Sequence, residues 1–85
     1  MNLQTKIASH AEFQHTRIEE VLTQQYGPLL SVAQLAKVLH RSVEGLRISL
    51  YTESDWSKPI NAAKFKLGRR VYFRTAAIAL VLSGH

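Results

Sequence analysis

The chain has 85 residues, of which 46% are hydrophobic and 20% are charged, and it contains no cysteine. This composition is typical of one small globular domain, and it excludes both a disulfide framework and a thiolate zinc site. The formal net charge of +5 is unevenly distributed, because residues 1–36 have a balance of −1 and residues 37–85 a balance of +6. A strongly basic second part favours contact with a polyanion, although basic residues also serve solubility alone.

Neither a signal peptide nor a membrane span is predicted. The first residues, MNLQTKIASHAEF, lack the continuous apolar core of about 7–15 residues that a signal peptide needs. The longest apolar run, Ala76–Leu82, falls far short of the roughly 20 residues that cross a bilayer. We therefore expect a cytoplasmic protein that makes no membrane contact.

The first predicted element is an amphipathic helix over Thr5–Gln25. Its stripe, at steps of three and four residues, consists of Ala11, His15, Ile18, Val21, Leu22 and Gln25/Tyr26. Gly27 and Pro28 end the helix, because glycine suits a left-handed cap and proline cannot continue a helix. Residues 1–28 are expected either to pack on the rest of the domain as an extra core helix, or to form a homodimer or contact a recombinase or polymerase subunit.

Two short helices joined by a tight turn follow. Ser31 is an N-cap for a helix over VAQLAKVLH, and Ser42 is an N-cap for a second helix over VEGLRISLY. Small Ala36 is expected where the two helices cross, and Leu46 is expected to pack back against it. This spacing predicts a helix-turn-helix, whose second helix presents its outward residues to the major groove of DNA. Those outward residues are Ser42, Val43, Glu44, Arg47, Ile48 and Tyr51.

The rest of the chain is predicted as a connector, a hairpin and a closing helix. Thr52–Ala62 is polar and contains Pro59, so an irregular connector anchored by Trp56 is expected. AKFKLGRRVYFR alternates apolar and basic residues on both sides of Leu67-Gly68-Arg69, which predicts a hairpin with one half-buried and one wet face. Thr75 is expected to cap a final helix over Ala76–Leu82. The aromatic residues interpreted as core are Trp56, Phe65 and Phe73, whereas Tyr72 falls on the basic face.

Residues Leu29–Leu82 resemble the excisionase and AlpA-like branch of the MerR-type winged helix-turn-helix proteins. The resemblance rests on LLSVAQLAKVLHRSVEGLRISL followed by KFKLGRRVYFRTAAIALVL, and its most specific part is the wing, Lys66–Arg74. It implies that the second helix reads the major groove, while the wing lies along phosphate or in the minor groove. Members of the family regulate transcription or act as directionality factors for site-specific recombinases, often on mobile elements.

The chain departs from the family pattern at several positions. His40 stands at the usual glycine of the turn, where the left-handed conformation has a steric cost. Arg41 replaces an apolar residue, and so does Ser49. The connector Glu53–Ala63 is longer than usual, so that the wing is expected at a different distance from the helix. Glu44 adds a carboxylate to the reading surface, where phosphate repels it.

The sequence thus predicts a mainly α domain with a small β-hairpin, namely a winged helix-turn-helix (residues 29–85) with an extra N-terminal helix (residues 1–28). Double-stranded DNA is the expected partner, with Arg47 in the major groove. The turn and the wing contribute Arg41, Lys64, Lys66, Arg69, Arg70, Tyr72 and Arg74. Solvation alone is the alternative for these cations.

No enzyme, cofactor or metal site is predicted, because the chain has no nucleophile elbow, Gly-rich phosphate loop or matched histidine pair. His10 and His15 are five residues apart and are interpreted as surface or interface histidines. The rival hypothesis is a protein-interaction module that keeps the fold without reading DNA. RNA binding has little support without an exposed aromatic sheet.

Overall fold

Residues 10–84 of the computed structural model contain five helices and a small antiparallel sheet, and side chains are described for residues 16–84. In chain order the elements are α1 (His10–Tyr26), β1 (Leu29–Ser31), α2 (Val32–Val38), α3 (Val43–Thr52), α4 (Lys58–Ala62), β2 (Lys64–Leu67), β3 (Arg70–Arg74) and α5 (Thr75–Ser83). They form a mainly helical α+β domain around one apolar core. None of the helices described in this range is long and apolar enough to cross a membrane.

The first helix, α1, packs along α5 and ends where the sequence predicts. Gly27 adopts φ +86°, and its N–H donates to the Thr23 carbonyl at 2.8 Å, which completes the left-handed cap. Leu22 is buried, but Val21, expected in the apolar stripe, is 54% exposed. The predicted start at Thr5 and the side chains of Ala11, His10 and His15 lie outside the described residues.

The strand β1 is absent from the sequence prediction. It is one of the two edge strands of a three-stranded sheet of order β1-β3-β2, so the predicted hairpin is only part of the sheet. Leu30 lies opposite Phe73, and both side chains are fully buried. A run of three residues gives no period in the sequence, and only its pairing with a distant strand makes it a strand.

The helices α2 and α3 begin at the predicted serines. Ser31 and Gln34 form a capping box, with Ser31 Oγ accepting from the Gln34 N–H at 3.1 Å. Ser42 Oγ accepts from the Gly45 N–H at 2.9 Å. His40, in the turn between the two helices, adopts φ +58°, which confirms the left-handed conformation at that position. Leu35, Ala36 and Leu46 are buried in the apolar core.

The predicted irregular connector contains a helix, α4. Pro59 lies in its first turn, where a proline nitrogen leaves no helical hydrogen bond unmade. The buried anchors are Ser57 and Ile60, whereas Trp56, expected in the core, is 40% exposed. Asn61 Nδ2 donates to the Leu50 carbonyl at 2.9 Å, which fixes α4 against the end of α3.

The register of the two hairpin strands differs by one residue from the register that would place all their apolar side chains on one face, as the alternation predicts. Its loop has two residues, Gly68 (φ +63°) and Arg69, in the pattern of a type II′ turn, so Leu67 lies opposite Arg70. A loop of three residues would have placed apolar residues opposite apolar ones. The change of one residue exchanges the faces of β2 relative to β3.

As a result, the two lysines of β2 share a face with the core residues of β3. Lys64 lies opposite Phe73 and Lys66 opposite Val71. Phe65 lies opposite Tyr72 on the other face, where it is half-buried, and not in the core as expected. Leu67, at the end of β2, is 58% exposed.

The closing helix α5 begins directly after β3. Its N-cap is Arg74, which makes no side-chain cap hydrogen bond, so the predicted cap at Thr75 is wrong. Thr75 is buried instead, and its hydroxyl is satisfied there by donating to the Gly27 carbonyl at 2.7 Å. Ile78 and Ala79 are in the core, and Leu82 is 39% exposed.

Candidate nucleic-acid interface

A groove of 580 Å³ separates α3 from the hairpin, and the beginning of α2 forms its third side. We call it the basic groove. Its lining residues are Ser31, Val32, Ala33, Arg47, Leu50, Tyr51, Lys64, Arg69, Arg70, Val71, Tyr72 and Phe73. The groove therefore joins the proposed reading helix to the proposed wing.

Four cations line the basic groove, and none of its lining residues is acidic. They are Arg47 on α3, Lys64 on β2, Arg69 in the turn and Arg70 at the start of β3. All four side chains are exposed to solvent. Like charges on facing walls repel one another, so a negatively charged group between them is favoured by all four at once.

The helical wall is built on one face of α3. Arg47, Leu50 and Tyr51 are spaced by three and four residues, which places them side by side on a helix. Leu46, next to Arg47 in sequence, is fully buried and fixes the rotation of the helix. Leu50 is half-buried and Tyr51 is 91% exposed, so the exposure of this wall to solvent differs along its length.

The hairpin wall carries three of the four cations of the basic groove. Lys64 projects from the same face as fully buried Phe73. Because β2 is an edge strand, the aliphatic stem of Lys64 can follow the rim of the core while the ammonium group stays in water. Arg69 and Arg70 follow Gly68, and this tight turn brings both guanidinium groups to the tip of the hairpin.

No family model matches the chain, and neither a curated protein nor a solved structure matches it significantly. The family resemblance of Leu29–Leu82 therefore stays a prediction that rests on the residues quoted for it.

Of the residues predicted from the sequence, the groove brings six together. They are Arg47, Tyr51, Lys64, Arg69, Arg70 and Tyr72. Seven others do not line it, namely Arg41, Ser42, Val43, Glu44, Ile48, Lys66 and Arg74. All seven are exposed. The predicted surface is thus divided between the groove and its surroundings, and Glu44, the one predicted carboxylate, stays out of the groove.

Two of the arginines outside the groove stack on aromatic rings. The Cζ atom of Arg41 lies 4.5 Å from the ring centroid of Trp56, and that of Arg74 lies 4.8 Å from the ring centroid of Phe65. Both distances are within the range of a cation–π contact. Two aromatic residues that the sequence assigns to the core therefore hold surface arginines instead.

Sequence reasoning missed the part of the groove contributed by β1 and the beginning of α2. Ser31, Val32 and Ala33 form this side, and Ser31 was predicted only as a helix cap. No residue type there indicates a site, because the position follows from the pairing of Ser31 with Tyr72 in the sheet. A small residue at position 33 leaves the groove open at this end.

Proposed function

We propose that this protein is a winged helix-turn-helix that binds duplex DNA through the basic groove. The order of elements supports the proposal, because a helix and a short strand precede two helices joined by a turn, and a hairpin follows. The pairing of β1 with the second strand of the hairpin ties the wing to the start of the two-helix unit.

The observation that carries the proposal is the convergence of four cations from separate parts of the chain without a carboxylate among them. Arg47 is 17 residues before Lys64, and the tip of the hairpin supplies Arg69 and Arg70. Duplex DNA carries about one negative charge per 1.7 Å of its axis, so several phosphates fall within reach of such a groove. The positive potential of the groove therefore favours phosphate groups as binding partners.

Within this proposal, the two walls have different tasks. Arg47 is the one cation on the outward part of α3, and its planar guanidinium can make two hydrogen bonds to a guanine in the major groove. Arg69 and Arg70 contact phosphates, which orients the protein without reading the sequence. Lys64 adds a third backbone contact, as a point charge on a flexible stem.

The family resemblance sets the proposed biological role. Winged helix-turn-helix proteins of this branch regulate transcription or direct the outcome of site-specific recombination. The proposed role is accordingly a transcriptional regulator or an excisionase-like accessory factor, acting in the cytoplasm and encoded by a mobile element.

A second function is favoured by the apolar residues beside the groove. Ile48 is 57% exposed and Val43 is 36% exposed on α3, close in sequence to Glu44 and Tyr51. Such a surface suits a protein partner, in which case the fold is a protein-interaction module. Salt distinguishes the two functions, because apolar contacts hardly respond to it.

The decisive experiment is titration of a fluorescently labelled duplex of random sequence at several salt concentrations. Three phosphate contacts, from Arg69, Arg70 and Lys64, give a slope of log K against log [salt] of about −2.7. Arg17→Ala, which removes an exposed cation from α1, is the matched control and should leave this slope unchanged. Absence of binding at low salt, or binding without salt dependence, would refute the proposal.

A further inference from the structure

We propose that Trp56 is a positioning residue that holds Arg41 as a further phosphate contact, outside the basic groove. This inference rests on the proposed DNA binding. It assigns a role to the unusually long segment between α3 and the hairpin, which the groove does not use.

The backbone fixes both partners of the stack. The Arg41 N–H donates to the Ala36 carbonyl at 2.9 Å, which secures the turn after α2. Next to Trp56, buried Ser57 accepts from the Ser54 N–H at 2.7 Å through its hydroxyl oxygen. Two anchored segments, 15 residues apart in sequence, thus bring the ring and the guanidinium to 4.5 Å.

Stacking suits an arginine that must bind an anion. All five N–H groups of a guanidinium lie in its plane, so a ring against one face leaves every donor free. No carboxylate in the described part of the chain forms an ion pair with Arg41. The ring restricts a long, flexible side chain before binding, and it therefore reduces the conformational entropy lost when a phosphate is bound.

The location of Arg41 is compatible with a duplex that also occupies the groove. Arg41 directly precedes the N-cap of α3, and Arg47 lies six residues further on. The helical part of this separation, from Val43 to Arg47, rises about 6 Å along the axis, and Ser42 before it is extended. The major groove is about 12 Å wide, so one duplex can reach the base-reading position and a flanking phosphate together.

The test compares the parent with Arg41→Ala, Trp56→Ala, the double variant and Trp56→Phe, using a labelled duplex of random sequence over a range of salt. Trp56→Ala should weaken binding roughly two- to fivefold, which corresponds to an exposed cation–π contact. Arg41→Ala should weaken binding at least as much and make the salt slope less negative by about 0.9. In the Arg41→Ala background, Trp56→Ala should have no further effect.

Two further measurements separate positioning from folding. Trp56→Phe keeps a ring face and should restore most of the affinity, while Arg17→Ala calibrates the loss of one positive charge elsewhere. Trp56 is the only tryptophan, so Arg41→Ala should change the fluorescence emission of the free protein if the stack is present in solution.

The outcomes that overturn the inference differ from those that overturn DNA binding. If the parent binds no duplex, the proposed function fails and this inference fails with it. If the parent binds but Trp56→Ala binds equally well, only the role of Trp56 is refuted. A loss from Trp56→Ala that persists in full without Arg41 would indicate that the ring contacts DNA directly, and unchanged emission in Arg41→Ala would refute the stack itself.

Discussion

The hydroxyl of Thr75 donates to the carbonyl of Gly27 at 2.7 Å across 48 residues of sequence. The backbone N–H of Thr75 donates to the neighbouring carbonyl of Pro28 at 2.9 Å. These two bonds join the start of α5 to the turn after α1, in a place where Thr75 is only 1% exposed. When a buried carbonyl loses its hydrogen-bond donor, the full free-energy cost of its desolvation is no longer offset.

Thr75→Val should therefore destabilise the fold. Valine has nearly the same shape, so the main change is the unpaired Gly27 carbonyl, with an expected cost of about 1–3 kcal/mol. Thr52→Val is the matched control, because the Thr52 hydroxyl also donates to a backbone carbonyl but the residue is exposed. Its cost should stay within about 0.5 kcal/mol. Urea denaturation measures both, and equal midpoints for the two variants would contradict the prediction.

Replacement of the two arginines at the hairpin tip should weaken DNA binding without regard to sequence. Arg69→Ala with Arg70→Ala should lower the affinity for selected and random duplexes alike by several-fold to about a hundredfold, and flatten the salt slope by about one to two units. Both residues are exposed, so circular dichroism should show an intact fold. Arg17→Ala with Lys58→Ala removes the same charge outside the groove. If this control loses as much affinity, net charge and not the hairpin tip explains the effect.

Enlargement of Ala36 should reduce stability. Ala36 is 2% exposed in the core cluster that also contains Leu35 and Leu46, so Ala36→Leu overpacks the contact at a cost of about 1–3 kcal/mol. Ala33→Leu adds the same side chain to an exposed position of the same helix and should be nearly neutral. Thermal melting compares the two variants. A melting temperature of Ala36→Leu at or above that of the parent would show that the core around position 36 can accommodate a larger side chain.

Arg47 should determine base preference. A bidentate arginine–guanine pair discriminates against the wrong base by about 1–3 kcal/mol, so Arg47→Ala should lose most of the preference for a selected site and keep much of the salt-sensitive random binding. Arg47→Lys separates charge from geometry, because lysine keeps the charge but lacks the planar fork. Binding-site selection from random duplexes measures all three proteins.

Two results of that selection would refute direct readout by α3. One is a parent that enriches no motif, and the other is a motif that Arg47→Ala reads equally well. The protein-interaction hypothesis makes a different prediction, since Arg47→Ala would then leave DNA affinity unchanged and weaken a protein complex.

The sequence predicts well those features that depend on a few adjacent residues. The caps at Ser31 and Ser42, the left-handed His40 and the turn at Gly68 all depend on hydrogen bonds or φ values within about four residues. Their positions fix where α2, α3 and the hairpin begin or end. The positions of α1, α2, α3, the hairpin and α5 could therefore be predicted without the structure, whereas β1 and α4 could not.

The features that the sequence does not predict depend on pairing between distant residues. The face on which Lys64 projects is set by the number of residues in the loop, and alternation within each strand is the same for either register. Tryptophan is a residue type that often packs in a core, but Trp56 is 40% exposed and its ring contacts the guanidinium of Arg41. The third side of the basic groove likewise exists only because Ser31 pairs with Tyr72.

The continuity of β3 and α5 has a consequence for how the hairpin meets a partner. Arg74 ends the strand and Thr75 begins the helix, with no loop residue between them. Because β3 is the central strand and Thr75 is tied to Gly27, the base of the hairpin is anchored to both α1 and α5. We therefore expect the base of the hairpin to keep its position when a partner binds, so that the width of the basic groove on this side is set before the partner arrives.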